Sequence, residues 1–414
     1  MNSSYEQKHP LYAASFTKRR KAMELYEGGE RIEGNRAYLT RHTYESDKQY
    51  DIRASRATYR NFAAPIVDVF ASFINEGRPE RILPDALRPI EADADRYGMT
   101  ADAFFADVTR LAAAGGARFV IVDMEQKKGE TVAEDRASGR RMTPYFTSIS
   151  PDDVWDWGMD AKGLAWAVVH SEEMEHPAAF AAPLRYETLT VWTRDSWTRY
   201  RRPMKDKENT EYALSENGER KHGLGAVPLV PFLFEPTSPM TGLPATDDVL
   251  SLILRIYRRD SELDKMLFDR AVPLLNVGGV SQEHWDTFVV ASSNALMSTE
   301  PGGITAQYVE PSGTAFQAQA EALARDEASV WEIALRMVRP QSAESKAIDK
   351  TQLDTQLASF ARRSGSAEAL CWKLAARWLG AKEDGIEAKY NESYDVGEAT
   401  VKIKGQTPAK EGQG

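Results

Sequence analysis

Apolar residues recur at three- and four-residue steps between positions 50 and 76, where Ile52, Tyr59, Phe62, Ile66, Val69, Phe70 and Phe73 fall on one side of a helical wheel. Pro65 lies inside this run and predicts a kink or a break. A short helix is expected before it, following the basic residues Lys18, Arg19, Arg20 and Lys21 and stopped by Gly28-Gly29. After a proline-rich connector over 79–89, the spacing predicts a helix over 100–114, closed by Gly115-Gly116. The run Arg118-Phe119-Val120-Ile121-Val122-Asp123 then has the β-branched content of a buried strand.

Between 118 and 235 the period shifts towards two. Thr188 to Thr193 and Ser196 to Tyr200 alternate around Arg194-Asp195, which predicts a hairpin, and Val227 to Phe232 reads as a further strand. The segment 236–244 holds three prolines and marks the main boundary, after an α+β domain over 1–240. Beyond it the pattern is helical. Thr246 is the expected N-cap, and Val249, Leu252, Ile253, Ile256, Leu263 and Leu267 form one stripe along a rod over 246–271, roughly 37 Å long. An insert over 272–312 begins and ends with strand-like pieces. A second rod over 314–338 carries Phe316, Leu323, Val330 and Ile333 on one face. Pro340 interrupts it, and a third helix over 347–380 has near-heptad apolar spacing with a bend expected at Gly365. The tail, 381–414, is polar, and its last ten residues are expected to be disordered.

Composition narrows what such a chain does. The 414 residues are 42% hydrophobic, enough for a sizeable core. Lys+Arg 52 against Asp+Glu 62 gives a net charge of -10, so the surface as a whole repels phosphate and any DNA contact is local. Cys371 is the only cysteine, which removes disulfide frameworks and cysteine zinc sites. No apolar stretch approaches the roughly 20 residues of a membrane span, and the expectation is a soluble, intracellularly made protein with no membrane contact.

Catalytic and cofactor patterns are weak. Neither a P-loop, a dinucleotide-binding glycine motif nor a G-x-S-x-G elbow occurs. His170 and His176 flank Glu172, Glu173 and Glu175, but a solvated loop is the preferred reading over a metal cluster. Asp152, Asp153, Asp156 and Asp160 lie among Trp155 and Trp157, the mixture that carbohydrate-active sites use for paired-carboxylate chemistry; a strand-end turn is the simpler reading. Aromatic and basic residues interleave from Trp192 to Arg202, as in single-strand binders, but an ordinary half-buried hairpin with its arginines outside is the preferred reading. Arg255, Arg258 and Arg259 are expected in an ion-pair network between helices. No cofactor, no metal and no enzymatic activity are expected.

The order of parts is the informative feature: a mixed domain, a rod, a small β insert, a second rod, a proline-broken loop and a long helix. Two rods joined at one end by so small a unit cannot bury both stripes alone, which predicts lateral packing against copies through Leu252, Ile256, Leu263, Leu323 and Val330. In this order the chain resembles the portal proteins of tailed bacteriophages. The resemblance is carried by Tyr38 to Phe62, by Ile149 to Trp157, by Val227 to Phe232, by Pro273-Leu274-Leu275-Asn276-Val277-Gly278-Gly279, by Pro301-Gly302-Gly303-Ile304 and by Tyr308-Val309-Glu310-Pro311-Ser312-Gly313.

The resemblance implies a homo-oligomeric ring, twelve-fold in most of the family, at one capsid vertex of a virion assembled in the bacterial host cytoplasm. Double-stranded DNA would pass through it during packaging and ejection. Residues 1–240 would form the wing, 246–271 and 314–338 the stem, 272–312 the clip that meets terminase and tail adaptor proteins, and 347–380 the crown. Capsid or scaffold proteins would be further partners. The loop 339–346 would line the tunnel and offer Arg339, Gln341, Ser342 and Lys346 to DNA. Another phage connector or minor capsid protein, and a carbohydrate-active hydrolase, are the competing readings.

Overall fold

The break in the first helical run comes before the proline rather than at it. In the structure, a computed structural model describing residues 5–125, 142–206, 211–270, 274–278, 305–309, 314–334 and 343–394, α1 (Pro10–Glu27), α2 (Asp47–Arg56) and α3 (Ala63–Ile74) are separate helices. Pro65 sits in the first turn of α3, where its missing N–H costs no intrahelical bond. Helix α2 starts on a reciprocal capping box between Ser46 and Gln49. Helix α1 is an 18-residue element, longer than the basic run alone suggests.

Strand β1 (Glu80–Ile82), helix α4 (Arg88–Ala92) and helix α5 (Ala101–Gly115) follow, with Thr100 capping the amide of Ala103. Next come β2 (Ala117–Asp123), β3 (Tyr145–Ile149), β4 (Val154–Asp160), β5 (Gly163–Glu175), β6 (Leu184–Thr193), β7 (Ser196–Pro203), β8 (Ala213–Lys221), β9 (Leu229–Leu233), β10 (Glu235–Ser238) and β11 (Thr241–Leu243). The elements α6 (Leu250–Arg270), β12 (Leu274–Gly278), β13 (Thr305–Val309), α7 (Thr314–Ala334), α8 (Ala343–Leu379) and β14 (Glu387–Lys389) follow among the described residues. The fold class is α+β. Strands β4 to β8 form one antiparallel meander in chain order, and β3-β2-β9 a second antiparallel sheet.

The chain divides into two compact units, the first made of 1–27, 61–250 and 331–414, the second of 28–60 and 251–330. The core of the first unit lies on both faces of the three-stranded sheet. On one face Ala117, Phe119, Ile121 and Leu229 join Val154, Trp155, Trp157, Leu189 and Trp192 of the meander. On the other, Phe105 of α5 meets Phe146 at 5.3 Å, Phe232 at 5.9 Å and Trp372 of α8 at 6.2 Å. A strand covered on both faces has no polar side, which is why 119–122 reads as one continuous apolar run.

Two glycines are fixed by close backbone approach. Gly116 caps α5 with φ 83°, and a Cβ there would come within 2.4 Å of the Gly242 carbonyl oxygen. Gly116→Ala therefore combines left-handed strain with overpacking against backbone, and an expected loss of about 2–4 kcal/mol should be visible in urea unfolding. At Gly365 no bend is assigned: α8 continues as helix through it, and a Cβ would lie 2.6 Å from the Ala388 carbonyl oxygen beside β14. The glycine admits the strand.

Three further expectations change. Thr246 makes no side-chain cap; a 3-10 turn over Asp247–Val249 precedes α6, and Asp247 meets Lys18 at 3.0 Å. His170 and Glu172 to Glu175 lie on β5 rather than in a loop. The tail contributes β14, which pairs antiparallel with β1. The last ten residues lie outside the described part.

Candidate functional site

The second unit is built on α6 and α7. Arg255 and Arg259 of α6 each meet Asp326 of α7 at 2.6 Å, and Gln319 donates to Glu262 at 3.2 Å. Partners descend on one helix as they rise on the other, so the two helices run antiparallel over about 30 Å each. At one end of the pair stand β12 and β13, antiparallel with Leu274 opposite Val309 and Gly278 opposite Thr305. This is the rod, strand, strand, rod order expected from the sequence.

Residues 28–60 wrap the same helix. Arg53 is buried and donates to both oxygens of Glu45, to the Ser261 hydroxyl at 3.1 Å and to the Thr40 carbonyl at 2.8 Å. Arg56 meets Asp264 at 3.0 Å, and Arg60 meets Asp260 at 2.9 Å and Glu327 at 2.6 Å. Tyr257 donates to the Ile32 carbonyl at 3.2 Å and accepts from the Gly34 amide at 3.0 Å. The Arg53 guanidinium holds the Glu45 carboxyl at about 2, well below the usual carboxylate range, against the opposing effect of its burial. Of Arg53, Arg56 and Arg60 only the first two lie on α2, and no local period in the sequence announces their partners.

An ion-pair network between helices is thus present. Asp260 and Asp264 serve residues 56–60, while Arg255 and Arg259 turn to Asp326. Arg258 donates to the Tyr38 carbonyl at 2.8 Å.

The residues expected at an interface between copies divide by burial. Ile256, Leu323 and Val330 are buried within the chain itself, and Leu252 and Leu263 are half-buried. Part of the stripe is thus covered within the single chain, where residues 28–60 and the helix pairing lie in the same unit. The large apolar side chains left exposed on α6 are Leu267 and Phe268, at 49% and 46%. Arg339, Gln341 and Ser342 lie outside the described residues, and Lys346 falls in the first turn of α8 rather than in a loop.

The aspartates of 152–160 do not converge. Asp152 pairs with Arg19 at 3.0 Å, Asp153 faces His170 at 3.3 Å, and Asp156 accepts from the Trp157 amide at 3.0 Å. Asp160 pairs with Arg194, whose hydrogen bonds lower its carboxyl to about 2. Paired-carboxylate chemistry needs two carboxyls facing one bond, and these face four different groups. His170 is stacked on Trp155 at 4.4 Å and lies between Asp153 and Glu187. In the 192–202 hairpin, Arg199, Arg201 and Arg202 meet Glu173, Glu175 and Glu187 at 3.0, 2.8 and 2.7 Å, the arrangement of an ordinary sheet surface. Among the described residues no group of three or more His, Cys, Asp or Glu side chains is placed to hold a metal ion, and no helix is long and apolar enough to cross a membrane.

A family model described as a domain of unknown function (DUF4055) matches residues 248–379, which begin one turn before α6 and end with α8. No curated protein matches the chain. Among solved structures, the chain is similar to one from the "Neck of native GTA particle computed with C12 symmetry", at 12% identity and a TM-score of 0.41, over 94% of this chain and 93% of that one. It is also similar to one from the "Neck of empty GTA particle computed with C6 symmetry", at 13% identity and a TM-score of 0.42, over 89% and 90%. A third is from the "Virion of native gene transfer agent (GTA) particle", at 15% identity and a TM-score of 0.40, over 94% and 92%. Likeness at this level says nothing of function.

Proposed function

We propose that the chain is a structural, non-catalytic subunit of a portal-type ring in a phage-like particle. Copies assemble around a channel at one capsid vertex, and double-stranded DNA passes through it. The observation that carries this reading is the antiparallel pair α6 and α7 joined at one end through β12 and β13, in the same order as the portal-like motifs at Pro273, Pro301 and Tyr308. The segment 272–312 is the docking surface for terminase or a tail adaptor. Net charge supports the channel role, since a wall that is acidic overall lets DNA slide where a basic one would hold it. Arg339, Gln341, Ser342 and Lys346 are then the sparse contacts to the DNA backbone.

Native mass spectrometry with single-particle images of the purified protein tests the reading. A ring with a duplex-sized hole is expected; monomers at all salt concentrations, or a ring closed at its centre, would count against it, the second favouring another connector. The interface is expected to use exposed side chains, so Leu267→Asp with Phe268→Asp should weaken the ring about tenfold or more while leaving unfolding of the first unit unchanged. Ile256→Asp, in contrast, should unfold the second unit.

A further inference from the structure

The turn after β8 places a histidine where β6, β8 and α8 meet. The His222 ring centre lies 6.1 Å from that of Trp192 on β6 and 5.7 Å from that of Trp378 in the last turn of α8. Trp378 donates its indole N–H to the Val122 carbonyl of β2 at 2.9 Å, and the Arg220 guanidinium of β8 lies 4.8 Å from its ring centre. Arg377, beside Trp378, donates to the Leu224 carbonyl at 3.4 Å and pairs with Glu383 at 2.6 Å. The C-terminal end of α8 is thus held to the sheets through the segment around one imidazole.

Hydrogen bonding favours a neutral ring. Its Nδ1 accepts from the Leu224 amide at 3.3 Å, so this nitrogen presents a lone pair and cannot take a proton without losing the bond. Nε2 then carries the ring's single proton, and it is buried with no hydrogen-bond partner. A second proton would set donor against donor at Leu224 and add a cation beside Arg220. The neighbouring charges do not offset it. Asp123 of β2 lies 3.6 Å from Arg220 and accepts from Tyr145, and Glu383 is engaged by Arg377. Asp195 meets His222 through its main-chain carbonyl, 2.7 Å from the His222 amide nitrogen. The Trp378 face already receives Arg220. Burial, the largest influence, holds the imidazole below its ordinary value of 6.5; Arg220 acts in the same sense, and the Ser196 and Thr193 carbonyls and Asp123 oppose them.

We propose that His222 is a proton-operated latch, whose charging under mild acid releases the C-terminal turn of α8 from β6 and β8. Because the folded chain binds this proton less readily than the unfolded chain, the latch is at full strength above about pH 6.5 and weakens as the pH falls below it. The release is local. Farther back along α8, Glu368 accepts from Arg81, Trp372 and Tyr390, so the helix stays anchored to β1 and β14 when its last turn opens. The Glu45 pair belongs to the other unit and titrates lower, so it does not enter this range.

Hydrogen exchange at residues 376–380, corrected for the intrinsic rate, is compared between about pH 7.5 and about pH 5.5 in the natural chain and in His222→Asn. Asparagine places an acceptor where Nδ1 stands and never ionises. The natural chain should lose protection over 376–380 at the lower pH while residues 360–370 keep theirs, and His222→Asn should keep both. Equal loss in the natural chain and in His222→Asn, or no loss in the natural chain, would overturn the latch. If His222→Asn does not fold, the natural chain decides alone. Protection over 376–380 that falls away between about pH 7 and about pH 5 then supports the latch, and protection that holds down to the carboxylate range below about pH 4.5 overturns it.

Discussion

Glu368→Ala is expected to destabilise the first unit by about 3–5 kcal/mol, because it leaves the buried Arg81 with only the part-exposed Asp102 and takes the acceptor from the buried Trp372 and Tyr390 donors. Glu368 is 0% exposed. Its carboxylate accepts from the Arg81 guanidinium, from the Trp372 indole at 3.0 Å and from the Tyr390 hydroxyl at 2.6 Å. Burial, with the Glu368 charge beside it, pushes the Tyr390 phenol well above its usual value, so it stays a neutral donor. One acid on α8 therefore ties together β1, through Arg81, and the end of β14, through Tyr390. Denaturant unfolding followed by tryptophan fluorescence checks the size of the loss. Glu368→Gln keeps the shape and one acceptor, and its expected cost is smaller because the amide carbonyl still accepts from a buried donor. Equal costs for both substitutions would show that the charge, not packing, sets the effect.

That network also marks where the sequence stops being legible. The strand over 117–123, the hairpin turning at Arg194-Asp195 and the two rods with strand-like ends between them were readable because each depends on local period and turn chemistry. The pairing of β1 with β14 joins residues some 300 positions apart, and no period within a three-residue strand announces it. The placement of α8 follows the same rule. Its spacing predicts a helix, but only the fold shows that Trp372 belongs beside Phe105 and Phe146. At the candidate site, the order of rods and strands was evident, whereas the cover over Ile256 was not. A helical stripe states that a face is buried and leaves open what buries it. Here residues 28–60 fold with α6 and α7, and the apolar side chains still exposed on α6 lie towards its C-terminal end, at Leu267 and Phe268. The proposed ring contact moves with them.

Arg53 is where that cover is fastened, and its loss is the second large effect expected. Arg53→Met keeps much of the aliphatic volume but strands the Glu45 carboxylate, at 5% side-chain exposure, without its cation. A cost of about 3–5 kcal/mol is expected, confined to the second unit. Acid titration gives an independent reading of the same pair. The Glu45 carboxyl titrates at about 2 in the folded chain against 4.5 in a free side chain, so the folded state binds its proton less readily than the unfolded one. The pair therefore contributes fully above about pH 4.5, and its contribution, about 3 kcal/mol, is lost as the pH falls from there towards 2. Glu45→Gln removes the charge at every pH. The stability gap between the natural chain and this variant should be widest near neutrality and should close steadily over that acid range. A gap that stays constant from pH 7 to pH 3 would mean that Glu45 acts through shape alone. Since Arg53 also reaches Ser261 on α6, the same substitutions should release residues 28–60 from the helix and expose Ile256, a change that hydrogen exchange at 250–260 would report directly.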